Sequence, residues 1–82
     1  MDSLVCEAFG RNLRAIRKSK GLSQERLAHD AGIDRSYVGK IERGQVNITL
    51  EKIYVFAGLL ECSPKELMPD PHQFVDHLPS SI

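Results

Sequence analysis

Residues 23 to 44 read SQERLAHDAGIDRSYVGKIERG, and few folds can accommodate them. Ser23 is a good N-cap, its helix runs through Ala31 with Leu27, Ala28 and Ala31 turned inward, and Gly32 stands where a helix stops. Asp34 caps the next helix almost at once, Ile33 before it can staple the chain entry, and Gly44 stands where a C′ glycine ends a helix. Only Gly32 and its immediate neighbours separate the two segments. Two helices joined so tightly must cross at a steep angle, and the rest of the chain has to pack around that crossing.

The second of these helices has two unlike faces. At 100° per residue Val38 and Ile41 fall on one side, while Arg35, Ser36, Gly39, Lys40 and Arg43 share an arc on the other. That arc is a row of donors without a carboxylate among them. A solvated amphipathic surface accounts for most polar helix faces. A polyanion-binding face is the competing explanation, and the company the helix keeps decides between them.

Flanking elements complete an all-α chain. No stretch alternates in the manner of a strand. A first helix from about Leu4 to Lys20 carries Val5, Phe9, Leu13 and Ile16 as its inward stripe, and Gly21 ends it. Arg14, Arg17, Lys18 and Lys20 gather near its C-terminus, where cations complement the helix dipole. Thr49 caps a fourth helix with Leu50 through Leu60 as its body. Ser63, Pro64 and Glu66 provide the cap, the N1 proline and the capping-box acid of a short fifth helix ending near Met68. Residues 1–68 thus make one domain, and residues 69–82, broken by Pro69, Pro71 and Pro79, form an irregular or mobile tail in which Phe74, Val75 and Leu78 are able to dock.

The fourth helix is apolar on more than one side. Leu50, Ile53, Tyr54, Phe56, Ala57 and Leu60 cover a broad arc, with Val55 and Leu59 nearly opposite. A single small domain cannot bury both faces, so Val55 and Leu59 are the expected seam of a homodimer.

An 82-residue chain holds one small core and suits a binding module better than a catalytic scaffold. The formal net charge is zero, yet residues 1 to 44 carry a surplus of three cations and residues 45 to 82 an equal surplus of acids. Such a chain can turn one face to a polyanion and another to a different partner. Cys6 and Cys62 lie far apart without zinc spacing, and each reads as a buried, reduced thiol beside apolar residues. No metal site, cofactor motif or catalytic set is expected. Asp30, Asp34, His29, Ser36 and Glu42 are close in sequence but scattered by the helical register, and His72 and His77 fall in the tail. With neither a signal peptide nor a bilayer-length apolar run, the expected compartment is the cytoplasm, with no membrane contact.

Read as one unit, SQERLAHDAGIDRSYVGKIERG is a helix-turn-helix and resembles the Cro/repressor (Xre-type) DNA-binding family. The matches are Ser23-Gln24, Leu27-Ala28, Ala31-Gly32, Val38, Ile41-Glu42 and Gly44, and the likeness runs from about Phe9 to Met68 through NITLEKIYVFAGLL and SPKEL. It implies a five-helix, lambda-repressor-like fold and a non-enzymatic transcription regulator. DRSYVGKIERG followed by VNITL further resembles the controller proteins of bacterial restriction-modification systems, which commonly carry Arg, Thr or Ser, then Tyr at the positions of Arg35, Ser36 and Tyr37. Such controllers are small dimers that bind palindromic operators and regulate their own gene together with the endonuclease gene. Val46 departs from the pattern, since controllers often place an arginine there before the Asn.

The expected DNA roles follow. Arg35 at N1 can read a guanine bidentately, Ser36 and Lys40 can reach base edges or phosphates, Tyr37 can either contact a base or phosphate or pack half-buried on the neighbouring helix, and Gly39 leaves room for close approach. Gln24 at the second helix's N-terminus and Arg43 are assigned to phosphate, and Asn47 to phosphate or to stiffening its loop. By resemblance Arg17 and Glu42 form the family's structural ion pair between the first and third helices. The implied partners are an operator in double-stranded DNA, a second copy of the chain and RNA polymerase. A phage-type repressor, a DNA-binding antitoxin and a helical protein-interaction module are the alternative uses of the same residues.

Overall fold

The computed structural model describes residues 3–74. Its helices are α1 (Leu4–Ser19), α2 (Gln24–Ala31), α3 (Arg35–Glu42), α4 (Leu50–Leu60) and α5 (Pro64–Leu67), followed by a 3-10 turn at Pro71–Gln73. No strand occurs among the described residues.

Each helix begins where a short polar side chain takes up a free backbone amide. Ser3 accepts from the N–H groups of Val5 and Cys6, Ser23 from Arg26, Asp34 from Ser36, Thr49 from Lys52 and Ser63 from Lys65. The Glu66 carboxylate closes the α5 capping box by accepting the Ser63 N–H at 2.8 Å. Gly32 adopts φ +69°, the left-handed geometry that lets α2 stop and α3 start within three residues. Glu61 takes the same conformation at φ 53° without glycine's freedom. A side chain in that region costs ~1–2 kcal/mol, and glycine's extra chain entropy returns ~0.5–1 of it. Glu61→Gly is therefore expected to stabilise the domain by ~0.5–1 kcal/mol in chemical denaturation.

The core is assembled from all five helices: Leu13 of α1, Leu27 of α2, Val38 and Ile41 of α3, Phe56 and Leu60 of α4 and Leu67 of α5 are fully buried. α3 lies between α1 and α2, α4 backs α2, and α5 closes against α1 and α4. Asn12 of α1 donates from Nδ2 to the Leu67 carbonyl at 3.0 Å, which satisfies one of the free acceptors at the end of α5. On α1 Phe9 and Leu13 are buried while Val5 and Ile16 are half-buried, and the buried face extends instead to Ala8, Gly10 and Arg17.

α4 differs from its sequence-based assignment. Leu50 and Tyr54, expected to face inward, are 70% and 61% exposed, whereas Leu59, expected to point outward, packs partly against the core. The arc from Phe56 through Leu60 and Ile53 to Ala57 is about 100° wide, as much as α2 and α5 can cover. Leu50 and Tyr54 sit past its edge and stay exposed among the described residues. Together with Val55, 40% exposed, they form an open apolar strip.

In the segment after Met68, Asp70 caps the 3-10 turn and Phe74 is buried. Val75, His77 and Leu78 lie outside the described residues.

Cys6 and Cys62 are free thiols, each half-buried and so short of the full burial expected from their apolar neighbours in sequence. Burial, reinforced by the Glu66 carboxylate, pushes the Cys62 thiol above its ordinary value. Less thiolate is present at any given pH, so Cys62 is expected to alkylate with iodoacetamide at pH 8 more slowly than an unhindered peptide thiol.

Candidate nucleic-acid interface

The donor face of α3 is open. Arg35, Ser36, Lys40 and Arg43 are exposed, and with Gln24, Gly39 and the rim residue Asp34 they line one shallow depression between α2 and α3. Asp34 is the acid of that surface, and its Oδ1 is turned to the Ser36 N–H at 3.3 Å as the α3 cap. Val38 and Ile41, on the opposite side of α3, are fully buried, so the helix cannot rotate its donors away from solvent.

Behind this face a buried pair fixes the helix. Arg17 Nε donates to Glu42 Oε2 at 2.6 Å and Nη2 to Oε1 at 3.1 Å, while Nη1 donates to the Leu22 carbonyl at 2.7 Å. Gln24 Nε2 completes the Glu42 shell with a bond to Oε1 at 2.9 Å. The Glu42 carboxylate thereby joins α1, α2 and α3, and Arg17 ties in the loop before α2. No buried side-chain polar atom among the described residues lacks a partner. Backbone contact tightens the same junction, because a Cβ at Gly10 would stand 2.5 Å from the Ile41 carbonyl oxygen and still closer to that of Glu42.

The structure distributes the remaining candidates unevenly. Gln24, assigned to phosphate from sequence, has its amide engaged by Glu42, which leaves its carbonyl oxygen and second N–H toward the depression. Tyr37 is half-buried with its ring against the core and does not line the depression. Asn47 is exposed in the loop between α3 and α4. Gly39, expected to leave room for close approach, is buried under this chain's own Arg43, whose Nη1 lies 3.0 Å from where a Gly39 Cβ would be. Arg43 is steadied there by its Nε bond to Gln45 Oε1 at 3.3 Å.

Sequence reasoning overlooked Arg14. Its place near the C-terminus of α1 was accounted for by the helix dipole, but it lines a second depression with Arg17, Gln24, Gly39, Glu42 and Arg43, continuous with the first. The signal was present: Arg14 is one turn before Arg17, and whatever Arg17 reaches on α3 must also lie near Arg14. On the outer face of α2 the Arg26 guanidinium, bonded at 3.0 Å, and the His29 ring hold the Asp30 carboxyl below the usual carboxylate range.

The helix-turn-helix family pattern matches residues 13–67, the span of α2 and α3 with the helices that brace them. The chain belongs to the Xre-type helix-turn-helix family. Among similar proteins, control protein C.SmaI of Serratia marcescens is 37% identical over 72 residues, 82% of this chain and 86% of that one. The restriction-modification controller protein C.AhdI of Aeromonas hydrophila has a crystal structure that superposes with a TM-score of 0.74 at 51% identity, covering 77% of this chain and 96% of that one. The biofilm regulator SinR of Bacillus subtilis, solved in complex with DNA, has a TM-score of 0.67 at 33% identity, covering 72% of this chain and 95% of that one. This Xre-type chain is accordingly a helix-turn-helix transcription regulator, all-helical like its neighbours, with no helix among the described residues long and apolar enough to cross a membrane.

Proposed function

We propose that this regulator is a restriction-modification controller that binds a palindromic DNA operator as a homodimer and governs its own gene together with that of the endonuclease. The observation that carries the reading is the open donor face of α3, with Arg35, Ser36, Lys40 and Arg43 presented together. Glu42, the buried acid behind this face, is neutralised by Arg17 before it can repel a polyanion. The major groove admits such a helix and distinguishes base pairs by their donor and acceptor patterns. Arg35 at N1 reads guanine O6 and N7, Ser36 and Lys40 reach base edges or phosphates, and Asn47 meets phosphate from its loop. Tyr37 takes a lesser part, through whatever its half-buried ring leaves accessible. The likeness to C.SmaI and C.AhdI favours a controller over a phage-type repressor or antitoxin.

Dimerisation supports the palindrome. Val55, exposed on α4, and the uncovered part of Leu59 form the seam, to which the structure adds Leu50 and Tyr54. Two-fold pairing there would set recognition helices about 34 Å apart on inverted half-sites. Acting at a promoter, the regulator works in the cytoplasm beside RNA polymerase.

The test is a fluorescence titration against DNA from immediately upstream of its own gene and against a scrambled duplex, at several salt concentrations. Wild type is expected to prefer the upstream DNA and to weaken with salt. Arg35→Ala should lose ~1–3 kcal/mol of that preference. Salt-insensitive or absent binding to every duplex would sink the DNA reading. Sedimentation equilibrium tests the dimer: Val55→Asp should shift dimer to monomer, and a wild type that is monomeric at operator-saturating concentrations would overturn it.

A further inference from the structure

We infer that Arg14 of α1 and Arg43 at the end of α3 each take a backbone phosphate of the bound duplex, making a two-arginine phosphate cradle beside the base-reading face. The inference rests on the DNA reading above and deepens it by extending the interface onto α1. Its basis is the second depression, where Arg14 and Arg43 face the same open space above the buried Arg17–Glu42 pair. Arg17 and Glu42 cancel, and the carboxylate's oxygens are already occupied by Arg17 and Gln24, so the two guanidinium charges of Arg14 and Arg43, which have no acid partner among the described residues, dominate the concavity. An anion is the ligand that such a surface favours. Arg43 is held for the purpose: its guanidinium lies against Gly39, where a side chain would crowd it, and Gln45 Oε1 accepts from its Nε, leaving the Nη groups free. Since this depression and the base-reading one share Gln24, Gly39 and Arg43, a duplex seated on α3 passes its sugar-phosphate backbone over Arg14. The planar fork of each guanidinium suits phosphate oxygens bidentately.

The experiment measures the slope of log affinity against log salt for wild type, Arg14→Ala, Arg14→Lys, Arg43→Ala and the double alanine variant, on both upstream and scrambled DNA. Arg14 is exposed, so its replacement leaves the core intact, and circular dichroism checks this. Each phosphate contact contributes about 0.9 to the slope on B-form DNA, so Arg14→Ala should flatten it by about 0.9 and the double variant by about 1.8. At 0.15 M salt the loss of one contact is about fivefold in affinity, equal on the two duplexes. Arg14→Lys should retain the wild-type slope. An Arg14→Ala slope equal to wild type would overturn the cradle, and with Arg35→Ala still lowering the preference for upstream DNA the base-reading face would stand. Loss of that preference in Arg14→Ala would also overturn it, by assigning Arg14 to bases. A wild type with no salt-dependent binding would instead overturn the DNA reading itself.

Discussion

Glu42→Ala is expected to remove ~3–5 kcal/mol from the unfolding free energy, because it leaves the Arg17 guanidinium buried and without its counter-charge. The domain's whole stability should be ~4–12 kcal/mol at ~0.05–0.15 kcal/mol per residue, so the loss takes from roughly a quarter to all of it. Gln24 would lose its acceptor as well, since its Nε2 bonds only to Glu42 in this network. A double replacement separates two meanings of the pair. Arg17→Met with Glu42→Leu removes both charges together and is expected to recover most of the lost stability, as apolar substitutes for buried ion pairs commonly do. Urea denaturation of the three variants decides the matter: a Glu42→Ala loss below ~1 kcal/mol would mean that water reaches Arg17 and the pair behaves as a surface one.

Gly10→Ala should destabilise the domain even though alanine is the better helix former. In an unobstructed helix the exchange would gain ~1 kcal/mol. Here the new methyl group would stand 2.5 Å from the Ile41 carbonyl oxygen, with the Glu42 carbonyl on its other flank, and neither is a flexible side-chain tip. α1 and α3 must move apart by about an ångström to reach ordinary van der Waals contact, at an overpacking cost of ~1–3 kcal/mol or more. The second effect is on the interface, because separating α1 from α3 pulls at the Arg17–Glu42 bonds and shifts the donor face relative to Arg14. The expected observation is a lower urea midpoint together with weaker binding to upstream DNA. A raised midpoint would show that the two helices yield freely at this crossing.

Most of the helical boundaries were legible in the sequence, and the hydrogen bonds explain why. Ser23, Asp34, Thr49 and Ser63 each bond to an amide two or three residues along, so the signal and the structure occupy the same few positions. Gly32 likewise carries its own φ of +69° as a local property. The pairing of Arg17 with Glu42 was a different kind of knowledge. It came through resemblance, since no periodicity relates residues 25 apart in the chain.

What the sequence by itself determined is the set of five helices, the three-residue connection between α2 and α3 and the donor side of α3, because caps, breakers and a 3.6-residue period act within a turn or two. Only the tertiary structure decided which part of α4 is covered, that Gln24 turns its amide to Glu42, that Arg43 lies on Gly39, and that Arg14 joins the same surface. Those outcomes depend on how finished helices dock. A helical wheel reports which residues share a side, but the width of the buried arc is set by the neighbour that reaches it, and on α4 that neighbour stops short of Leu50 and Tyr54.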